Sequence, residues 1–224
     1  MYKKITHHIV EEHFEHPAAT EIKNHVDAYC PTGPIMSMAD TPSSMRLKMT
    51  LRTAFNHLIA GFRGHVVAHT AEEISAIDSK ISADITNISN LIKSYYGDAA
   101  AVAFRSKLDA YIIDAVKVIE ASKAGPVSGD LDTKLKASIS DLASFLGSVN
   151  PTVWPADAVT SILTKVAEDF VAQVTSRAKK DYAGDIDAFN RARQLLVNGS
   201  ATSTGFADIV ANGIIQQFPA LFRI

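Results

Sequence analysis

Apolar residues recur at steps of three and four along most of this chain, inside stretches that lack proline. That spacing puts a continuous stripe on one side of an α-helix. Leu47, Leu51, Phe55, Leu58, Phe62 and Val66 form the first clear stripe. Ile81, Ile85, Ile88 and Ile92 form a second, which should end near Gly97, with Asp98 placed to cap the helix that follows. The third runs Phe104, Leu108, Tyr111, Ile112, Ala115, Val118, Ile119 and stops at Gly125-Pro126. Leu131, Leu135, Ile139, Leu142 and Leu146 make a fourth, and Val159, Leu163, Val166, Phe170 and Val174 a fifth. A helix over about 182–197 carries Tyr182, Ile186, Phe189 and Leu196, and the last carries Phe206, Ile209, Val210 and Ile214. Prolines at 17, 31, 34, 42, 126, 151, 155 and 219 leave 43–125 and 156–218 free of them. Proline is excluded from helix interiors, so these are the spans in which long helices fit. Thr41-Pro42 has the chemistry of a helix start, a capping hydroxyl followed by proline in the first turn.

One-sided helices joined by short loops bury their stripes best against each other. The pattern therefore predicts an all-α fold: an antiparallel multi-helix, four-helix-like bundle over 43–224. Before it, 1–42 reads as an N-terminal helical arm, broken at Pro17, with a proline-containing linker.

Composition narrows the function classes. A length of 224 residues allows one substantial core. With 22 basic against 24 acidic side chains, the chain lacks the excess positive charge of a nucleic-acid binder. A single cysteine, Cys30, excludes a disulfide framework and a multi-cysteine zinc site. No apolar run reaches the roughly 18 residues of a membrane span. His7, His8, Glu11 and Glu12 interrupt the stretch after Lys3 and Lys4, so no secretory leader is expected. The sequons at Asn87 and Asn198 then read as chance matches, and the expected setting is intracellular and cytoplasmic.

Histidines are the most visible polar feature. His8, Glu12 and His16 share one face of a helical arm, but a terminal helix has no opposite wall to complete a metal site. In the bundle, His57, His65 and His69 stand near Glu72 and Glu73. His65-x-x-x-His69-x-x-x-Glu73 would be a one-face metal triplet if one helix ran through it. The plainer reading is of buried or boundary histidines making ordinary hydrogen bonds, because the other stripes offer no facing ligand. Cys30 sits beside Pro31 in a linker, without the rigid base a catalytic thiol needs. No P-loop, G-x-G-x-x-G or G-x-S-x-G occurs. Asp181, Asp185 and Asp187 read as a solvated face or a helix cap.

Several short motifs nevertheless stand in a recognisable order. They are Leu51-Arg52 and Arg63, then Tyr95-Tyr96-Gly97-Asp98, then Glu120 to Gly125. Phe145-Leu146-Gly147-Ser148-Val149-Asn150-Pro151 with Trp154 follows, then Asp185-Ile186, then Gly213-Ile214-Ile215-Gln216-Gln217-Phe218-Pro219. Over 47–224 the chain resembles a poorly characterised all-helical family of bacteria and some large DNA viruses, some members of which are labelled acetylglutamate kinase or glycosyltransferase. The resemblance implies an inward constellation of histidines on three helices and an acidic residue on a fourth segment. Leu58, Tyr111 and Val166 stand at the histidine positions here, and Gln173 near the acidic one. It also implies that any chemistry at those positions is lost, and the missing glycine-rich phosphate cradle gives the kinase and transferase labels no support.

The expectation is a non-enzymatic structural or assembly protein, a virion component if the source is viral. It takes no cofactor, its partners are proteins or further copies of itself, and the 1–42 arm is the partner-binding element. The alternative is a metal- or small-ligand-binding bundle using His57, His65, His69 and Glu73.

Overall fold

The computed structural model describes residues 41–199 and 205–223. The two arm helices expected before Pro31, with Cys30 and the four histidines of 7–16, lie outside the described residues. Six α-helices and no strand occur among the described residues: α1 (Pro42–Val67), α2 (Ala71–Ala124), α3 (Gly129–Val149), α4 (Ala156–Ala178), α5 (Tyr182–Arg193) and α6 (Phe206–Gln217). A π-helical turn, Gln194–Asn198, extends α5, and a 3-10 turn, Pro219–Phe222, follows α6. No described helix is long and apolar enough to cross a membrane.

Local chemistry sets the helix ends. Thr41 caps α1 reciprocally with Ser44, and Pro42 opens the first turn. Thr70 and Glu73 form the same device for α2. Gly125 ends α2 at φ 149°, a value side chains disfavour. The stop expected at Gly97 is instead a kink inside α2, where Gly97 takes φ 82° and ψ 177°. Asp98 pairs there with Lys93 at 2.5 Å.

The stripes meet in one core, except that Tyr182 and Ile186, expected on the buried side of α5, are exposed because α5 turns Asp185, Ala188 and Ala192 inward instead. α1 packs on α2 and α6, α2 on α3 and α4, and α3 on α4. α5 lies on α4, and the π turn closes on α1. Leu51, Ile59, Ile88, Ile119, Ile139, Leu142, Leu146, Phe62 and Phe170 are among the fully buried side chains. Tyr95, Tyr96, Trp154, Phe218 and Phe222 form an aromatic cluster around the α2 kink, with Tyr95 stacked on Phe222 at 5.9 Å and Tyr96 edge-on to Phe218 at 5.1 Å.

Candidate functional site

The densest polar node lies where α1, α4 and α5 meet. Arg63 of α1 donates from both terminal nitrogens to the buried Asp185 of α5, the Nη2–Oδ2 bond measuring 2.7 Å. Arg177 of α4 adds a bond to Oδ2 at 2.9 Å. Gln173 of α4 accepts a further N–H from Arg63 at 2.8 Å, and the Arg63 guanidinium lies 5.7 Å from the Phe189 ring centre. The hydrogen bonds from Arg63, with support from Arg177, hold the Asp185 carboxyl below the ordinary carboxylate range despite its burial. An ionised carboxylate whose two oxygens both accept from arginine is a tie between helices, not a free base. Asp185 is therefore neither solvated nor a cap, contrary to the sequence reading. Its bidentate partner is 122 residues away in sequence, so no local spacing signals it. Asp181 does cap α5, accepting from the Gly184 N–H at 2.9 Å, and Asp187 is exposed.

The four positions singled out by the resemblance all lie in the interior. Leu58, Tyr111, Val166 and Gln173 are buried, on α1, α2 and α4. Leu58 and Tyr111 border a cavity of about 20 Å³ that is otherwise walled by side chains such as Phe55, Phe62, Phe104 and Leu163. That is room for about one water, but the surface it presents is apolar, so no group there would hold one. Among the described residues, the Tyr111 hydroxyl and the Gln173 side-chain nitrogen are the buried side-chain polar atoms without a hydrogen-bond partner. Burial pushes the Tyr111 phenol far above its ordinary range, so it stays a neutral donor. Neither group replaces an imidazole or a carboxylate as a metal ligand.

The histidines are placed differently from a one-face triplet. α1 ends at Val67, Ala68 is extended, and α2 begins only after Thr70, so His65, His69 and Glu73 do not share a helix. The interruption follows from the capping box, which offers the chain a better termination than a continued turn. Glu73 takes the backbone N–H groups of His69 and Thr70 at 2.8 and 3.0 Å. Those bonds hold its carboxyl below the ordinary range. His65 is fully buried, with Nδ1 3.0 Å from Glu120 and Nε2 3.1 Å from Asp78. Lys123 completes this group, pairing with Glu120 and donating to the Ala68 carbonyl at 3.1 Å. His57 lies 3.4 Å from Asp84, which Lys80 also holds. Both bundle histidines of α1 thus tie it to α2. No group of three or more His, Cys, Asp or Glu among the described residues is placed to hold a metal ion.

The remaining motifs also pair with one another. Arg52 binds Asp208 through two nitrogens, at 2.8 and 2.5 Å. Trp154 donates to the Ile209 carbonyl at 2.9 Å, and Asn150 to that of Gly213 at 3.3 Å. Gln217 accepts from the Tyr96 hydroxyl and donates to the Val149 carbonyl at 2.7 Å.

No family model matches the chain, and neither a curated protein nor a solved structure matches it.

Proposed function

We propose that this chain is a non-enzymatic structural or assembly protein, acting through its outer surface on protein partners or on further copies of itself, with the 1–42 arm as a partner-binding element. One observation carries the reading. The interior positions at which the resemblance implies histidines and an acidic residue are occupied by Leu58, Tyr111, Val166 and Gln173, all buried in the core. The polar side chains beside them, Arg63, Arg177 and Asp185, are engaged with one another across three helices. Such pairing fixes helix register and favours a rigid body over a site that exchanges ligands.

Native mass spectrometry of the untagged full-length protein, with and without a chelator, tests this. The expected mass is that of the bare chain or a whole multiple of it, unchanged by the chelator. One metal ion per chain, removed by the chelator and absent from a His65→Ala, His69→Ala double variant, would overturn the reading.

A further inference from the structure

On the outer side of α2, Val102 and Ile113 are 69% and 52% exposed. They are large apolar side chains left in solvent, as are Met45 and Met49 on α1 and Tyr182 and Ile186 on α5; those on α2 are the ones flanked by charges of both signs along one face. Eleven residues apart, they fall on the same helical face, about 16 Å from one another along the axis. Between them the face carries the exposed, small Ser106 and Ala110, and the half-exposed Arg105 and Asp109. Asp98 and Lys117, both exposed, close its two ends.

We propose that this face is a self-association seam on which a second copy of the chain docks its own α2 antiparallel, about a two-fold axis between positions 107 and 108. This partner identity rests on the assembly reading above. The order of residues favours the antiparallel arrangement over the parallel one. A two-fold there sets residue 102 opposite residue 113 of the second copy, so each branched apolar side chain gains an apolar partner. The small Ser106 and Ala110 allow close approach of the two helices at the crossing. The charges are self-complementary in the same register. Arg105 comes beside Asp109 of the second copy, and Asp98, which also holds Lys93 of its own chain, comes beside Lys117 of the second copy, each pair occurring twice. A parallel pairing would set Asp109 against Asp109 and Lys117 against Lys117. Within one chain, Arg105–Asp109 and Lys117–Asp114 are long, at 3.5 and 3.6 Å, so both cations can re-aim at little cost. A seam of one helix face a side is smaller than a standard interface, so the dimer is a weak, concentration-dependent one.

Disulfide trapping in full-length protein carrying Cys30→Ser tests the register. Val102→Cys and Ile113→Cys are made separately and oxidised alone and as an equimolar mixture. The mixture is expected to give at least tenfold more covalent dimer than either variant alone. Equal positions on the two copies lie too far apart for a disulfide, whose Cα atoms sit about 4.4–6.8 Å apart. Sedimentation of Val102→Glu is expected to show at least tenfold weaker association with an unchanged melting temperature. Cross-linking by Val102→Cys alone, or association unchanged by Val102→Glu, overturns the proposal. A monomer at concentrations in the hundreds of micromolar also overturns it. If the chain forms another oligomer without these cross-links, the seam is wrong and the assembly reading stands. A stoichiometric metal, by contrast, removes the assembly reading whatever the cross-links show.

Discussion

Replacing Asp185 with alanine removes the one anion between Arg63 and Arg177. Three charge-assisted hydrogen bonds are lost, two from Arg63 and one from Arg177. Each such bond contributes about 1.5–3 kcal/mol, so the gross loss reaches several kcal/mol. The freed guanidiniums recover part of it. Arg63 and Arg177 keep 24% and 33% side-chain exposure, and Arg63 retains Gln173 and the Phe189 ring. Removing one partner of a buried pair costs about 3–5 kcal/mol, and partial exposure places this case near the lower end, at about 3 kcal/mol. For a domain of this size that is a fall of roughly 6–12 °C in melting temperature. Urea unfolding of the full-length protein, followed by far-UV circular dichroism, should show a lower midpoint at an unchanged slope. The pH dependence adds a second check. Because the folded carboxyl titrates below its unfolded value, its contribution is complete above about pH 4 and is lost as pH falls through the folded value. The gap between wild type and Asp185→Ala should therefore narrow in acid. A cost under about 1 kcal/mol, or additive Arg63→Ala and Asp185→Ala effects, would refute the argument that this pair couples α1 to α5.

Three further substitutions test separate parts of the account. Gly213→Ala puts a methyl group 2.7 Å from Cζ2 of Trp154 and closer still to Nε1 and Cε2. The indole is buried and pinned by its bond to Ile209, so overpacking of about 1–3 kcal/mol should outweigh the helix-propensity gain and lower the melting temperature. Tyr111→Phe removes a buried hydroxyl without a partner and should stabilise the protein by about 1 kcal/mol in urea unfolding; destabilisation would mean that the hydroxyl has a partner in solution. Thr70→Ala breaks the capping box between α1 and α2 and should cost about 1 kcal/mol, with faster amide exchange confined to the first turns of α2.

The helices were legible because their signals are local. A 3.6-residue stripe and its caps lie within about 25 consecutive residues, and Thr41-Pro42, Gly125-Pro126 and the Phe206–Gln217 stripe all end up where their chemistry places them. Gly97 was half legible: the glycine marks a departure from helical geometry, but whether the chain turns away or kinks depends on the aromatic cluster packed around it. The site was not legible, because its content is long-range. His65 to Asp78 crosses a helix end that the His-x-x-x-His spacing conceals. Asp185 looks like any acid in a polar helix until Arg63 arrives from α1.

The short motifs that stand out in the sequence acquire a common explanation once these partners are known. Arg52 meets Asp208, Arg63 meets Asp185, Tyr96 meets Gln217, Asn150 meets Gly213, and Trp154 meets the last helix through Ile209. Each pair joins one motif to another segment far along the chain, and each motif residue is engaged inside the fold. Motifs of this kind specify how helices dock, a role that needs no chemistry in the interior around Leu58 and Val166. The outer surface is the part of the molecule that this docking of helices leaves unaccounted for. The outward face of α2, with Val102 and Ile113 in solvent and charges that would complement those of a second copy about the proposed two-fold, is one part of that surface whose pattern the fold itself does not require.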